Sequence, residues 1–151
     1  MHARRAAGLL ALVLIQASPC DAQPASTPIG RVKLASGSVH ILRDGSQLPA
    51  KVGDVVFEAD ALRTGTDGRI GVTLKDETRI SLAPNSEVRL DRFLYAPSDK
   101  RLAFTLRIVR GITAYVSGRI ARLAPDAVRL ETPTAIIGVR GTRLVIRVEA
   151  P

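Results

Sequence analysis

Between residues 102 and 116 apolar side chains take nearly every second position: Leu102, Phe104, Leu106 and Ile108, then, past Arg110-Gly111, Ile112, Ala114 and Val116. A period of two fits a strand, whose successive side chains point to opposite faces, and not a helix, whose apolar stripe recurs every three or four residues. Val39 and Ile41 ahead of Asp44-Gly45, and Val52 ahead of Gly53-Asp54, repeat the pattern, and Ser117-Gly118 closes the longest run. Short strands joined by tight turns are therefore expected, and no segment beyond residue 22 carries a convincing helical stripe.

The middle of the chain repeats itself weakly. Arg69–Leu74, Glu77–Leu82 and Asn85–Leu90 align so that Val72, Ile80 and Val88 fall in one column and Leu74, Leu82 and Leu90 in another, eight residues apart. Asp67-Gly68, Lys75-Asp76-Glu77 and Ala83-Pro84-Asn85-Ser86 supply the turns between them. Such spacing suits either an antiparallel meander or successive faces of a solenoid, and the period does not separate the two. The fold class expected is all-β, a single domain of short strands and tight turns stacked in a twisted β-solenoid-like or sandwich-like manner. With 3% aromatic residues, the core must be built from Val, Ile, Leu and Ala. Each buried Val or Leu of the repeat contributes about 1.5–3 kcal/mol before entropy is subtracted, so its first meaning is core.

The amino terminus has the three parts of a secretory signal: Arg4 and Arg5, an apolar run from Ala6 to Ile15, and small residues ending at Ala22. Cleavage is expected after Ala22. That places the mature chain in the periplasm, with residues 23–29 as a flexible lead-in and residues 30–148 as the domain. The apolar run is well short of the ~20 residues that cross a bilayer, and no second such run follows. Cys20 follows Ala17-Ser18-Pro19, a poor lipidation signal, and leaves with the signal peptide. The mature chain then has no cysteine and one histidine, His40, which excludes thiol catalysis, disulfides and zinc sites of the usual ligands. No metal or other cofactor is expected.

Charge is unevenly placed. Residues 23–99 carry ten Lys or Arg against ten Asp or Glu, whereas residues 100–151 carry ten against three. Such an excess suits an anionic partner or a solvated face. Nucleic acid is a poor candidate, because the chain is exported and lacks aromatic stacking residues. A carboxylate-dependent cell-wall hydrolase would draw on Asp60, Asp67, Asp76 and Glu77, but these lie beside turn residues, the ordinary place for acids in strand connections.

The segment 132–146, TPTAIIGVRGTRLVI, sets an arginine between two glycines inside an apolar run. Ile137 and Val139 are inward candidates of odd number, while Leu144, Ile146 and Val148 are even. A strand cannot change parity without an extra residue, so the chain should bulge or turn around Arg140-Gly141-Thr142, with Gly141 as the permissive backbone. In this register Arg140, Arg143 and Arg147 project outward as candidate partner-binding residues. Arg140 alternatively pairs with Glu131 or covers the turn. The spacing is wrong for a phosphate-binding loop, and a strand follows where that loop needs a helix.

Taken in order, Gly30-x-Val32, Gly37-Ser38-Val39, Val52-Gly53-Asp54, Leu62-Arg63-Thr64-Gly65, Asp76, Ala83-Pro84-Asn85-Ser86, Val109-Arg110-Gly111, Thr132-Pro133 and Gly138-Val139-Arg140-Gly141-Thr142 resemble the FecR domain, named for the regulator of ferric citrate uptake. The closing Thr132-Pro133 through Gly138, Gly141 and Thr142 is the most specific part. The resemblance, over about residues 30–148, implies an all-β periplasmic domain without catalytic residues or cofactor. It also implies a binding or scaffold module that meets a membrane or outer-membrane protein in envelope signalling or assembly. The alternative is a basic adhesive module for anionic envelope polymers. Without an anti-sigma region or a spanning helix, a stand-alone exported member is expected. Glu77 stands where the family usually has glycine, which points to a somewhat different turn.

Overall fold

The computed structural model describes residues 26–141 and 143–150. The signal sequence and cleavage point expected at residues 1–22 lie outside them. Twelve strands follow in order among the described residues: β1 (Gly30–Ser36), β2 (Val39–Arg43), β3 (Ser46–Pro49), β4 (Val55–Val56), β5 (Ala61–Thr64), β6 (Arg69–Leu74), β7 (Arg79–Leu82), β8 (Glu87–Ala96), β9 (Arg101–Val116), β10 (Val128–Glu131), β11 (Ile136–Gly138) and β12 (Arg143–Val148). One short helix, α1 (Arg119–Leu123), interrupts them. No helix among the described residues is long and apolar enough to cross a membrane.

The strands form one strongly curled, mostly antiparallel half-barrel sheet. Only β10 runs parallel to its neighbour β9, so the antiparallel alternative is the one realised. The 16-residue β9 belongs to two wings. Its first part lies between β8 and β10 in a wing completed by β5, β2, β3 and β11, here called the β2 wing. Its last part lies between β7 and β12 in a wing completed by β6, β1 and β4, the β1 wing.

The repeat columns are core: Val72, Ile80, Val88, Leu74, Leu82 and Leu90 are all at most 3% exposed. Val72 faces Ile80 across the β6–β7 ladder. The third copy does not continue that meander, because β8 pairs with β5 and β9 rather than with β7. Alternation set the right face but not the right neighbour.

Two readings of the alternation change. Val52 is 63% exposed in the turn before β4, and Val56 takes the buried place. More consequentially, Arg110-Gly111 is not a turn between strands. Gly111 adopts φ 84° inside a single β9, and the inward parity switches there. Phe104, Leu106 and Ile108 point inward before it, but Thr113 and Tyr115 do so after it, leaving Ile112, Ala114 and Val116 on the outer side.

Tyr115 is therefore wholly buried, stacked on Phe104 at 6.2 Å between centroids, and its hydroxyl finds no partner of bonding geometry. Burial, with the Asp76 charge adding to it, pushes its phenol above the ordinary 10.0. A raised folded value means the native state keeps a proton that the unfolded chain loses. Stability from this group is thus present below about pH 10 and lost as pH rises beyond it, by up to ~1.4 kcal/mol per pH unit. Tyr115→Phe should match the wild type within about 1 kcal/mol at neutral pH, since an unpartnered hydroxyl is lost. It should fall less steeply in urea titrations between about pH 10 and 11. Parallel alkaline limbs in the two proteins would show that the phenol is not held in this way.

Candidate functional site

The C-terminal segment carrying the Gly-Val-Arg-Gly-Thr motif passes from one wing to the other. Thr132, Pro133, Thr134 and Ala135 form the turn between β10 and β11. The Thr132 N–H donates to the Ala135 carbonyl at 2.8 Å, and the Ala135 N–H donates to Thr132 Oγ1 at 3.0 Å. Pro133, second in this turn, suits the fixed φ a turn needs there. The chain then leaves Gly138, buries Val139, and crosses to β12. Ser117 Oγ donates to the Gly141 carbonyl at 2.6 Å, tying the crossing to the end of β9.

The expected change of parity is present: Leu144, Ile146 and Val148 pack against the core while Arg143, Val145 and Arg147 are exposed. Of the two alternatives, bulge or turn, it is the turn that occurs: the chain passes from one wing to the other between β11 and β12. Gly141 is not the permissive position, since it is not among the residues of positive φ and a Cβ there would meet nothing within 4 Å. Gly138 has the same open surroundings. Thr142 lies outside the described residues.

The three arginines separate. Arg140 lines an open cleft of about 440 Å³ together with Arg122, Asp126 and Ser117. Glu131, its candidate partner, lies 3.6 Å from Arg107 instead, and Arg140 has no ion pair among the described residues. Arg143 and Arg147 stand on the outer face of the β1 wing. There the register aligns Arg31, Thr73, Arg79, Val116 and Arg143 in one row across β1, β6, β7, β9 and β12. The next row is Leu34, Gly71, Ser81, Ala114 and Val145, and the row beyond contains Ser36, Arg69, Ile112 and Arg147. Five arginines thus flank a band of small and apolar residues, in which Leu34 is 51% and Val145 67% exposed.

No carboxylate stands in those rows, and none of the five arginines has an ion pair among the described residues. The β2 wing has acids among its arginines. Arg63 and Arg110 meet Glu87 at 3.0 and 3.8 Å, and Arg89 and Arg107 meet Asp91 at 2.9 and 2.8 Å. Such exposed pairs contribute only ~0–1 kcal/mol each, so their main effect is to neutralise part of that face, on which Arg92 and Arg129 have no ion pair among the described residues. Arg31, Arg69 and Arg79 come from the part of the sequence whose charges balance. Their outward parity was legible, but the register that sets them beside Arg143 and Arg147 was not.

The carboxylates considered for hydrolysis serve the fold. Asp60 is 1% exposed and holds Arg43 through bonds of 2.8 and 2.7 Å. Asp76, fully buried, accepts from Thr78 N, Thr78 Oγ1 and Ile120 N. Asp67 accepts from Ser38 N, and Glu77 pairs with Arg119 at 3.3 Å. Among the described residues no three His, Cys, Asp or Glu side chains gather as metal ligands would.

The family model described as FecR protein matches residues 60–151. No curated protein matches the chain, and no solved structure does. The match begins later than residue 30, where the resemblance began. Yet β1 and β2, which precede it, pair with β6 and β5 inside it, so the two stretches share one sheet.

Proposed function

Since the chain belongs to the FecR protein family, we propose that it is a non-enzymatic periplasmic binding or scaffold module that contacts another envelope protein through the outer face of the β1 wing. The observation that carries this reading is the outer face of the β1 wing, where five arginines flank an apolar band in rows that hold no carboxylate, whereas Arg63, Arg89, Arg107 and Arg110 of the β2 wing meet Glu87 or Asp91. An unneutralised face of one sign steers an oppositely charged partner and rejects like-charged ones. The exposed Leu34 and Val145 give that partner apolar surface to cover. Export rests on the amino-terminal sequence, with its paired arginines, apolar run and small residues before Ala22.

Crosslinking of the full chain in intact cells, read by mass spectrometry, tests the proposal. Wild type and Arg122→Glu, a change away from this face, should capture the same envelope protein. Capture should fall at least about tenfold in Arg79→Glu and Arg143→Glu, since each replaces attraction by repulsion at the interface. Equal capture by all four proteins would remove the face from the account. A second reading, adhesion to anionic envelope polymers, draws on the same arginines. It predicts retention that collapses between about 0.05 and 0.5 M salt, because charges at a surface are screened within ~10 Å at 0.1 M, with no single protein crosslinked.

A further inference from the structure

The sheet ends in four edges among the described residues, and three are blunted. β4 has two residues, β11 has three, and β3 carries Pro49. Short strands and proline are ordinary ways of keeping an edge from pairing. The fourth edge, β12, has six residues, Arg143-Leu-Val-Ile-Arg-Val148, and no proline. It pairs with β9 on one side only. In an antiparallel pair every second residue turns its N–H and C=O away from the neighbour. No backbone group among the described residues bonds there.

We propose that the free edge of β12 is the docking position for an extended acidic segment of the envelope partner, which joins the β1 wing as a further antiparallel strand. The inference rests on the binding-module reading and gives it a site and a mode. The side chains set the chemistry of the segment. On the outer face, Arg143 and Arg147 stand four residues apart, so a strand laid beside β12 places its own outward side chains about 4.5–5.5 Å from them, within reach of a carboxylate. On the inner face, Leu144, Ile146 and Val148 are only half-buried at the sheet margin and accept apolar side chains. The segment that fits therefore alternates acidic and apolar residues. Arg79, two strands inward in the row of Arg143, adds to the positive field over the same edge.

In one register the same arginines disfavour a second copy of the chain. An antiparallel β12–β12 pairing centred on Val145 sets Arg143 opposite Arg147 at both ends, and like charges placed directly opposite destabilise a ladder. That register is thus guarded against self-pairing, while the edge is open to a strand of opposite sign.

The test uses the full chain and a synthetic ten-residue peptide of alternating glutamate and valine, with a lysine-valine counterpart and a glutamate version N-methylated along one edge. Affinity is read by fluorescence anisotropy and contact by amide hydrogen exchange. The glutamate peptide should bind and slow exchange across residues 143–148. The lysine and N-methylated peptides should bind at least about tenfold more weakly, having lost the charge pairs or the ladder donors. The double variant Arg143→Glu with Arg147→Glu should reverse the preference and take the lysine peptide, a gain that an unfolded chain cannot show. The proposal is overturned if no peptide binds, if N-methylation or charge reversal leaves binding unchanged, or if protection appears elsewhere than β12. Protection of β12 that grows with protein concentration alone would assign the edge to a second copy and overturns it too. A cellular partner that still depends on Arg79 while β12 stays unprotected would leave the module reading standing without this edge. Peptide docking at β12 with no envelope protein captured would do the reverse.

Discussion

Gly111→Ala is expected to cost about 3–5 kcal/mol, a large part of the stability of a domain this size and enough to leave much of the protein unfolded at 37 °C. Two effects add. Gly111 holds φ 84°, where any residue with a Cβ is strained by about 1–2 kcal/mol. A Cβ built there also lies 2.2 Å from Ser86 Oγ and 2.5 Å from Ser86 Cα. Ser86 has no room to retreat: it is fully buried, and its Oγ accepts from the Ile112 N–H at 2.9 Å. Moving it breaks a bond at the corner where β9 passes from one wing to the other, and a buried donor left unpaired costs about 1–3 kcal/mol. Urea denaturation followed by circular dichroism measures the loss. Gly138→Ala and Gly141→Ala are the controls. Neither Cβ meets an atom within 4 Å, and changes of that kind stay within about 0.5 kcal/mol. If Gly141→Ala proves as damaging as Gly111→Ala, the hinge of the fold has been placed in the wrong segment.

That contrast shows what alternation can and cannot reveal. Around Gly141 the apolar residues on both sides are large, so the switch from Val139 to Leu144 is visible in the letters. Around Gly111 it is hidden. Ile112, Ala114 and Val116 continue the pattern of Phe104 and Ile108 but face outward, while the inward places belong to Thr113 and Tyr115. Hydropathy misleads there because the outer face of the β1 wing is itself partly apolar. The repeat columns were legible for the converse reason, since polar residues alternate with them on the solvent side. The basic face was half legible: each arginine's side of its strand follows from parity, but Arg31, Arg79 and Arg143 become neighbours only through pairings that join β1, β7 and β12 across the length of the chain. Helix α1 has no stripe to read, being five residues long, and its first turn is held from outside by Asp76.

Asp76→Ala should be the second severe change, at about 3–5 kcal/mol. Gly118, the residue before α1, offers no side chain to cap it. The Arg119 N–H instead donates to the Asp76 backbone carbonyl at 2.7 Å, and the Ile120 N–H to Asp76 Oδ2 at 3.3 Å. The same carboxylate receives the Thr78 N–H at 3.1 Å and the Thr78 hydroxyl at 2.8 Å. It thereby binds the β6–β7 turn to the segment that follows β9, two stretches more than forty residues apart. Alanine keeps the backbone carbonyl but strands three donors in a site with no solvent access, at about 1–3 kcal/mol for each that finds no other partner. Glycine at 118 is part of the same arrangement, because a Cβ there would sit 2.4 Å from both the Asp76 carbonyl oxygen and the Thr78 nitrogen. Asp76→Asn keeps the shape and one acceptor but turns an NH₂ group toward donors, so about half the loss is expected. Hydrogen exchange gives the decisive reading: in Asp76→Asn, the Ile120 amide should lose protection while the β8–β9 ladder keeps it. A variant that retains full stability and an unchanged Ile120 amide would mean that the carboxylate is not what holds the turn to the helix, and would return Asp76 to the list of groups free for another task.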